Sequence, residues 1–338
     1  MILGSMRTLL LVLLVPVLSS AIPTVSRAEA PPIVVSAEGV VELFSDPSQK
    51  IHDTVPEGSV RAKYEGMNYL ARPVKPGAKL PSGAWLRTRP GARARVIFSN
   101  GDQMNVGPAS FMKIVPPRRG SRDPESLDLR FGMVRSVISP KGPRSRFKVR
   151  TASAVMGVRG TDFVVEAHET TALTLIRGSI EVKAGSEAQA ALARVVGAGE
   201  TAWVAKKAPL EVLPTSKVEF RRVLEATESA SKPAGVPASQ EIAQLEQRAR
   251  EVTQTDLLAH AGSDEERRRV EKLVAGGADA HELNRVALAT RIDAAPATSP
   301  SLERLKKEMS RKAKATGSRL DDLEQDPYGT YFEGTQHE

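Results

Sequence analysis

The sequence predicts an all-β domain, solenoid-like or a sandwich, built from short strands and followed by a helical, partly disordered C-terminal extension. Three observations carry that prediction. Between Pro73 and Ile138, short apolar alternations are punctuated by Pro76-Gly77, Pro90-Gly91, Asn100-Gly101 and Gly107-Pro108, with no helical period between them. The pattern Leu127-x-Leu129-x-x-Gly132-x-Val134 returns as Leu173-x-Leu175-x-x-Gly178-x-Ile180 at an offset of 46 residues. After Pro214 the composition shifts to Ala, Glu, Arg and Lys with few large apolar residues.

The first thirty residues read as a signal peptide. Arg7 precedes an apolar run from Leu9 to Leu18, and small residues follow it, which places cleavage between Ala21 and Ala30. The run is shorter than the ~20 residues a membrane span needs, so the mature form is expected to lack a span. The chain has no cysteine, which removes disulfides, thiolate metal sites, a thiol nucleophile and a lipid-modified cysteine. The expected location is the periplasm, with secretion as the alternative.

Residues 31–74 read as a β-rich N-terminal segment, with Ile33 to Val35 and Val40 to Phe44 as strands turning at Gly39. Residues 75–213 form the main β domain. Within it Asn100-Gly101 separates two alternating runs, the strongest short hairpin signal, so Val96-Ile97-Phe98 is expected to pair with Gln103 to Val106. In the repeated unit a glycine sits between two strand segments, and each copy of such a unit can bury the face its neighbour leaves open. Trp203, in the closing run Gly199 to Val204, is expected to pack as a core anchor.

The centre of the domain is Phe147 to Glu166, where Gly157-Val158-Arg159-Gly160-Thr161 interrupts a run of β-branched and aromatic residues. Paired glycines there indicate a pinched corner between strands. Arg159 can cap carbonyls that the corner leaves unpaired, or face outward as a binding group; the structural role is favoured, because an unpaired buried carbonyl costs about 1–3 kcal/mol. Asp162 and Glu166 fall on one face of the following strand, which a solvated face explains.

Thr151-Ala152, Gly157 to Phe163, the run Leu175 to Val182 and Gly199-Glu200 together resemble the FecR domain of bacterial envelope proteins. Gly83 to Thr88, Gly91 to Phe98 and Asn100-Gly101-Asp102 fit the opening strands of the same family, so the resemblance covers about residues 75–206. It implies a compact all-β, solenoid-like domain and makes Gly157, Val158, Arg159, Gly160, Thr161 and Phe163 the family motif. The best-known members join a cytoplasmic segment that controls a sigma factor to a membrane helix and a periplasmic sensor. This sequence shows neither of the first two, so what the resemblance implies here is periplasmic protein interaction.

From Pro214 onward, Val218 to Glu228 reads as a short helix and Ser229 to Ser239 as a linker, so that 214–239 joins the parts. Residues 240–322 read as a helical extension with helices over Gln240 to His260, Asp264 to Ala275, His281 to Asp293 and Ser301 to Asp322. Ser263 followed by Glu266 supplies an N-cap, and Gly276-Gly277 a stop. Isolated helices with so few large apolar residues are marginal in water, so this part is expected to depend on a partner while the β part folds alone. Residues 323–338 read as a mobile tail in which Tyr328, Tyr331 and Phe332 offer a partner something to bury.

Chemistry is sparse. Neither His168-Glu169 nor His281-Glu282 is followed by the second histidine of a zinc-protease helix, and Ser145-x-x-Lys148 and Ser229-x-x-Lys232 lack the companion motifs of penicillin-binding proteins. Gly197-x-Gly199 leads into a strand, not a helix that could hold a phosphate. The reading is therefore a non-enzymatic module with no cofactor and no metal, whose partner is an envelope protein; no specific nucleic acid is expected. The formal charge is +8, and between Arg87 and Arg150 there are 15 Lys and Arg against four acids. That basic segment supports the alternative, a structural envelope component that binds glycan or an anionic polymer.

Overall fold

The computed structural model describes residues 30–116, 125–140, 142, 147–184, 193–205, 209–228 and 239–297. The expected signal peptide, most of the expected linker, the helix expected over Ser301 to Asp322 and the expected tail with its aromatic residues lie outside these residues.

Among the described residues, eighteen strands form two facing sheets that share one long strand. Sheet I runs β5 (Ala78–Lys79), β1 (Ile33–Glu38), β7 (Arg93–Ile97), β8 (Gln103–Val106), the second half of β10 (Ser126–Val137), β13 (Asp162–Ala167), β14 (Thr170–Arg177), β17 (Glu200–Ala205) and β18 (Glu211–Pro214), all antiparallel. Sheet II runs β3 (Val60–Tyr64), β4 (Met67–Pro73), β2 (Val41–Ser48), β6 (Trp85–Thr88), β9 (Ser110–Val115), the first half of β10, β11 (Phe147–Arg150), β12 (Ala154–Val158), β15 (Ser179–Ala184) and β16 (Arg194–Gly197). Its β10–β11 pair is parallel. Of the two expected forms the sandwich is the one realised.

The repeated glycine is the device that changes sheets. Before Gly132, β10 pairs with β9 and β11 in sheet II; from Gly132 onward it pairs with β8 and β13 in sheet I. Gly178 stands between β14 in sheet I and β15 in sheet II. Both have positive φ, +91° and +84°. A Cβ at Gly132 would lie 2.3 Å from Ser110, and one at Gly178 2.6 Å from Thr161, so both corners combine a left-handed backbone with a close approach.

Inward positions of both sheets make one apolar core: Val34, Val96, Met104, Val134, Phe163, Val165 and Leu175 from sheet I meet Leu43, Leu86, Met112, Leu129, Val149, Met156 and Ile180 from sheet II. The hairpin expected at Asn100-Gly101 is present, with Ile97 opposite Gln103. Residues 31–74 do not stand apart from the main β domain. β1 pairs with β7 and β2 with β6, and Phe44, Tyr64 and Tyr69 join Trp85, Phe111 and Phe131 in an aromatic cluster, in which Trp85 and Phe111 stack at 4.4 Å. The sequence boundary near 74 reflects turn residues, not a break in packing.

The helices are α1 (Lys217–Thr227), α2 (Gln240–Ala259), α3 (Asp264–Ala275) and α4 (Ala280–Ala294), close to the expected spans. Ser216, Ser239, Ser263 and Asp279 each accept a backbone N–H three residues on, satisfying donors that a helix start leaves open. Helices α1, α2 and α4 lie on the outer face of sheet I, and α3 packs on α2 and α4. Leu245 and Ala249 of α2, with Ala280 of α4, pack on Ile33, Val35 and Ile97. Phe220, Val223 and Leu224 of α1, with Leu288 of α4, pack on Met133, Val164 and Ile176. The described part of the extension is therefore a cap on the chain's own β domain rather than a free arm.

Candidate functional site

The family motif builds a crossover. β12 ends at Val158 in sheet II, Arg159-Gly160-Thr161 turn the corner, and β13 begins at Asp162 in sheet I. Val158, Thr161 and Phe163 are buried, Gly160 abuts Pro140, and the Thr161 carbonyl accepts from the Ile138 N–H at 3.0 Å. Gly157 is exposed within β12. Arg159 is exposed too and makes no hydrogen bond among the described residues, so it does not cap the corner's carbonyls. The Ile138 N–H, not the arginine, meets the Thr161 carbonyl.

Structural arginines do exist, on β10 and β14, the strands that flank β13. On sheet I, the outward positions of neighbouring strands fall in cross-strand rows. In one row Arg95 (β7), Asn105 (β8), Arg135 (β10) and Val164 (β13) lie directly opposite one another; in the next stand Ile97, Gln103, Val137, Asp162 and Arg177. Neighbouring strands are about 4.8 Å apart, so Asn105 has an arginine on either side.

Asp162 is fully buried and is the centre of a charge chain. It accepts from Arg135 Nε at 3.0 Å and Nη2 at 2.8 Å, a bidentate pair, and lies 3.1 Å from Arg177 Nη2. Arg177 Nε donates to Asp256 of α2 at 2.7 Å, and His260, one turn on, reaches the same carboxylate at 3.0 Å. Arg135 and Arg177 are 4% and 3% exposed and Asp256 is 0% exposed. The face that alternation assigned to Asp162 and Glu166 is the right one, but helices, not solvent, cover it.

The same helices meet other polar groups of the sheet. Arg95 donates to Glu246 at 2.5 Å and to Gln103 at 2.9 Å, while Gln103 donates to Thr253 at 3.0 Å. Arg222 of α1 makes a two-point pair with Glu166, at 2.7 and 3.3 Å, and His168 reaches Glu166 at 3.0 Å. Burial opposes ionisation of Glu166, but the His168 hydrogen bond and the Arg222 charge outweigh it and bring its pKa down to about 2. Burial likewise opposes ionisation of Asp256, and Arg177 and His260 reverse that and hold it below the usual carboxylate range.

Between this floor and the helices lies a cavity of about 210 Å³. Arg95, Gln103, Asn105 and Arg135 form its floor; Leu224, Leu288 and Ile292 line an apolar side, and Asn284 and His281 a polar one. Burial holds His281 below the ordinary imidazole value; Glu228 opposes this and Arg95 reinforces it. Among the described residues no group of three His, Asp or Glu side chains is placed to hold a metal, and no helix is long and apolar enough to cross a membrane.

Two expectations change in this light. Arg87, Arg95 and Arg135 of the basic 87–150 segment are buried, so its charge is partly internal. Trp203 is buried, but on β17 it alternates with Ala202 and Val204 of the inter-sheet core and so belongs to the outward row. Tyr328, Tyr331 and Phe332 lie outside the described residues.

Two stacked, largely antiparallel sheets with glycine corners, one face covered by helices through buried ion pairs, define an all-β scaffold. The family model described as FecR protein matches residues 84–181, under a third of the chain, so over that stretch the resemblance read from the residues stands. Two crystal structures of a candidate anti-sigma factor from Parabacteroides distasonis, at 1.65 and 2.50 Å, are similar to the chain, each at 18% identity with a TM-score of 0.32 over 38% of this chain. The chain spans 58% of the length of those proteins. No curated protein matches it.

Proposed function

We propose that this chain is an exported, non-enzymatic FecR-domain module that acts by protein interaction or signalling in the bacterial envelope, in the periplasm. One observation carries the reading. Arg95, Gln103, Asn105, Arg135, Asp162 and Arg177, which make the polar floor on sheet I, all fall inside the matched stretch 84–181, whereas the helices over them lie outside it. The FecR domain thus presents one chemically distinct face, and α1, α2 and α4 carry that face's exterior. A protein partner is expected to contact this side of the molecule. The signal-like pattern of residues 1–30 supports export.

The test is in-cell photo-crosslinking of the full chain in a Gram-negative host, with probes at the exposed helix positions Glu225 and Arg285 and at Lys183 on sheet II. The expected result is cleavage between Ala21 and Ala30, recovery in the periplasmic fraction, and one discrete heterocomplex from the helix positions but not from Lys183. Retention in the cytoplasm would overturn the localisation. No adduct from the helix positions, together with binding to an anionic envelope polymer that falls steeply with salt, would replace the reading with that of a structural polyanion binder.

A further inference from the structure

The cavity beneath the helices has a polarity that its own protein groups leave incomplete. Asn105 and Asn284 face the space from opposite sides, one on β8 and one on α4. Asn284 is 5% exposed, and the Oδ1 atoms of both are buried with no hydrogen-bond partner. Neither end of either amide is hydrogen-bonded to protein among the described residues, so exchanging oxygen for nitrogen would leave each equally unpaired. A buried amide oxygen without a partner costs about 1–3 kcal/mol, which a native cavity meets with a ligand or with water.

The lining carries Arg95, Arg135, Arg221 and Arg285 against Glu225 and Glu228; Arg95 and Arg135 already pair with Glu246 and Asp162 beyond the lining, which leaves Arg221 as the lining cation with no ion pair among the described residues. Glu228 is drawn to His281 and Arg285, at 3.2 and 3.3 Å. Arg135 uses Nε and Nη2 on Asp162, which leaves Nη1 as an uncommitted donor at the cavity floor. Leu224, Leu288 and Ile292 supply one apolar side. The volume lies below the ~300–1,000 Å³ of sites for drug-sized ligands, so the occupant is small.

The geometry points to a binding site for the carboxylate of an acylated amino acid with an apolar side chain, either a free molecule or the last residue of a peptide chain. The carboxylate answers Arg135 and Arg221, the amide N–H and C=O answer the two asparagines, and the side chain lies against Leu224, Leu288 and Ile292. The pairing of arginine with carboxylate supplies direction, and the two amides reject a ligand that lacks both a donor and an acceptor. The site does not require the interaction reading above, because binding is read on the purified chain alone.

The test is calorimetric titration of the mature chain with N-acetyl-leucine, N-acetyl-leucinamide and a ten-residue peptide ending in leucine. N-acetyl-leucine is expected to bind with a dissociation constant below about 1 mM, and the leucinamide at least tenfold more weakly. Equal or tighter binding by the peptide identifies the source as a chain end; binding by N-acetyl-leucine alone identifies a free molecule. Two variants localise the site. Ala289→Trp fills the cavity from its exposed rim, and Asn284→Leu removes an unpaired amide, so both are expected to keep the melting temperature within a few degrees while binding falls at least tenfold. Equal affinity for acid and amide, unchanged binding in both variants, or no heat from any of the three ligands would overturn the proposal and leave a cavity that holds only water.

Discussion

Replacing Asp256 by alanine is the sharpest probe of how the helices are held. Asp256 is fully buried and is the α2 end of the chain Arg135–Asp162–Arg177–Asp256. Two arginines and two aspartates balance there, and removing one aspartate leaves a buried net positive charge. Arg177 keeps Asp162 at 3.1 Å but loses the 2.7 Å bond from its Nε, and His260 loses its carboxylate. Breaking a buried pair on one side costs about 3–5 kcal/mol, and the surviving contact to Asp162 argues for the lower end, about 3 kcal/mol.

In urea that corresponds to a midpoint shift of about 1 M for a slope of ~3 kcal/mol/M. Amide exchange should show whether the loss falls first on 242–258, where α2 meets the sheet. The paired replacement Arg177→Met with Asp256→Leu removes both charges and leaves Asp162 with its bidentate Arg135, so it should recover most of the loss. A single Asp256→Ala loss below about 1 kcal/mol, or a paired variant no better than the single one, would refute the claim that this chain anchors the cap.

Gly101→Ala should release α2: Gly101 has φ +91°, and a Cβ would lie 2.5 Å from the Arg248 carbonyl oxygen, so a loss of about 1–3 kcal/mol with faster exchange across α2 is expected, and unchanged exchange would refute the contact. Arg159→Ala should change stability by less than about 0.5 kcal/mol in the same urea assay, because the side chain is exposed; a loss above 2 kcal/mol would restore the carbonyl-capping role. His260 is raised above its ordinary value by the hydrogen bond to Asp256, with burial opposing, so protonation favours the folded state: its contribution is full below the unfolded pKa near 6.5 and fades as pH rises through the folded value. His260→Gln should therefore remove a decline in stability on that alkaline side, and melting curves from pH 5 to 9 that superimpose for both proteins would contradict it.

Local signals in the sequence carried far. Asn100-Gly101 named a hairpin because a two-residue turn with a left-handed glycine needs no distant partner, and the echo of Gly132 in Gly178 marked both corners where a strand leaves one sheet for the other. The helix starts were legible for the same reason, since the Ser263 hydroxyl accepts the Glu266 N–H while the Glu266 carboxylate accepts the Gly262 N–H, all within four residues. What stayed hidden is separated along the chain. Arg177 meets Asp256 across 79 residues and Gln103 meets Thr253 across 150, and no periodicity within one strand or one helix encodes which element covers which face. The motif arginine drew attention because it sits between glycines, yet a corner's exposed tip is where a long charged side chain costs least.

One signal could have exposed the cap. Period-two alternation gives sheet I an outward face with Arg95, Gln103, Asn105, Arg135, Asp162 and Arg177, which taken alone reads as solvated. The same outward rows also carry Ile97, Val137 and Val164. A face washed by water has no reason to place branched apolar side chains in register beside paired charges, because each leaves apolar area exposed at about 25 cal/mol per Å². Charges and branched apolars sharing one row are what a covered polar interface requires: the apolars supply burial, and the charges must find partners on the covering element. Helix α2 shows the complementary defect, with Thr253 and Asp256 continuing the buried stripe of Leu245 and Ala249. A stripe that turns polar while staying buried predicts a polar floor beneath it, and the sheet supplies that floor in Gln103 and Arg177.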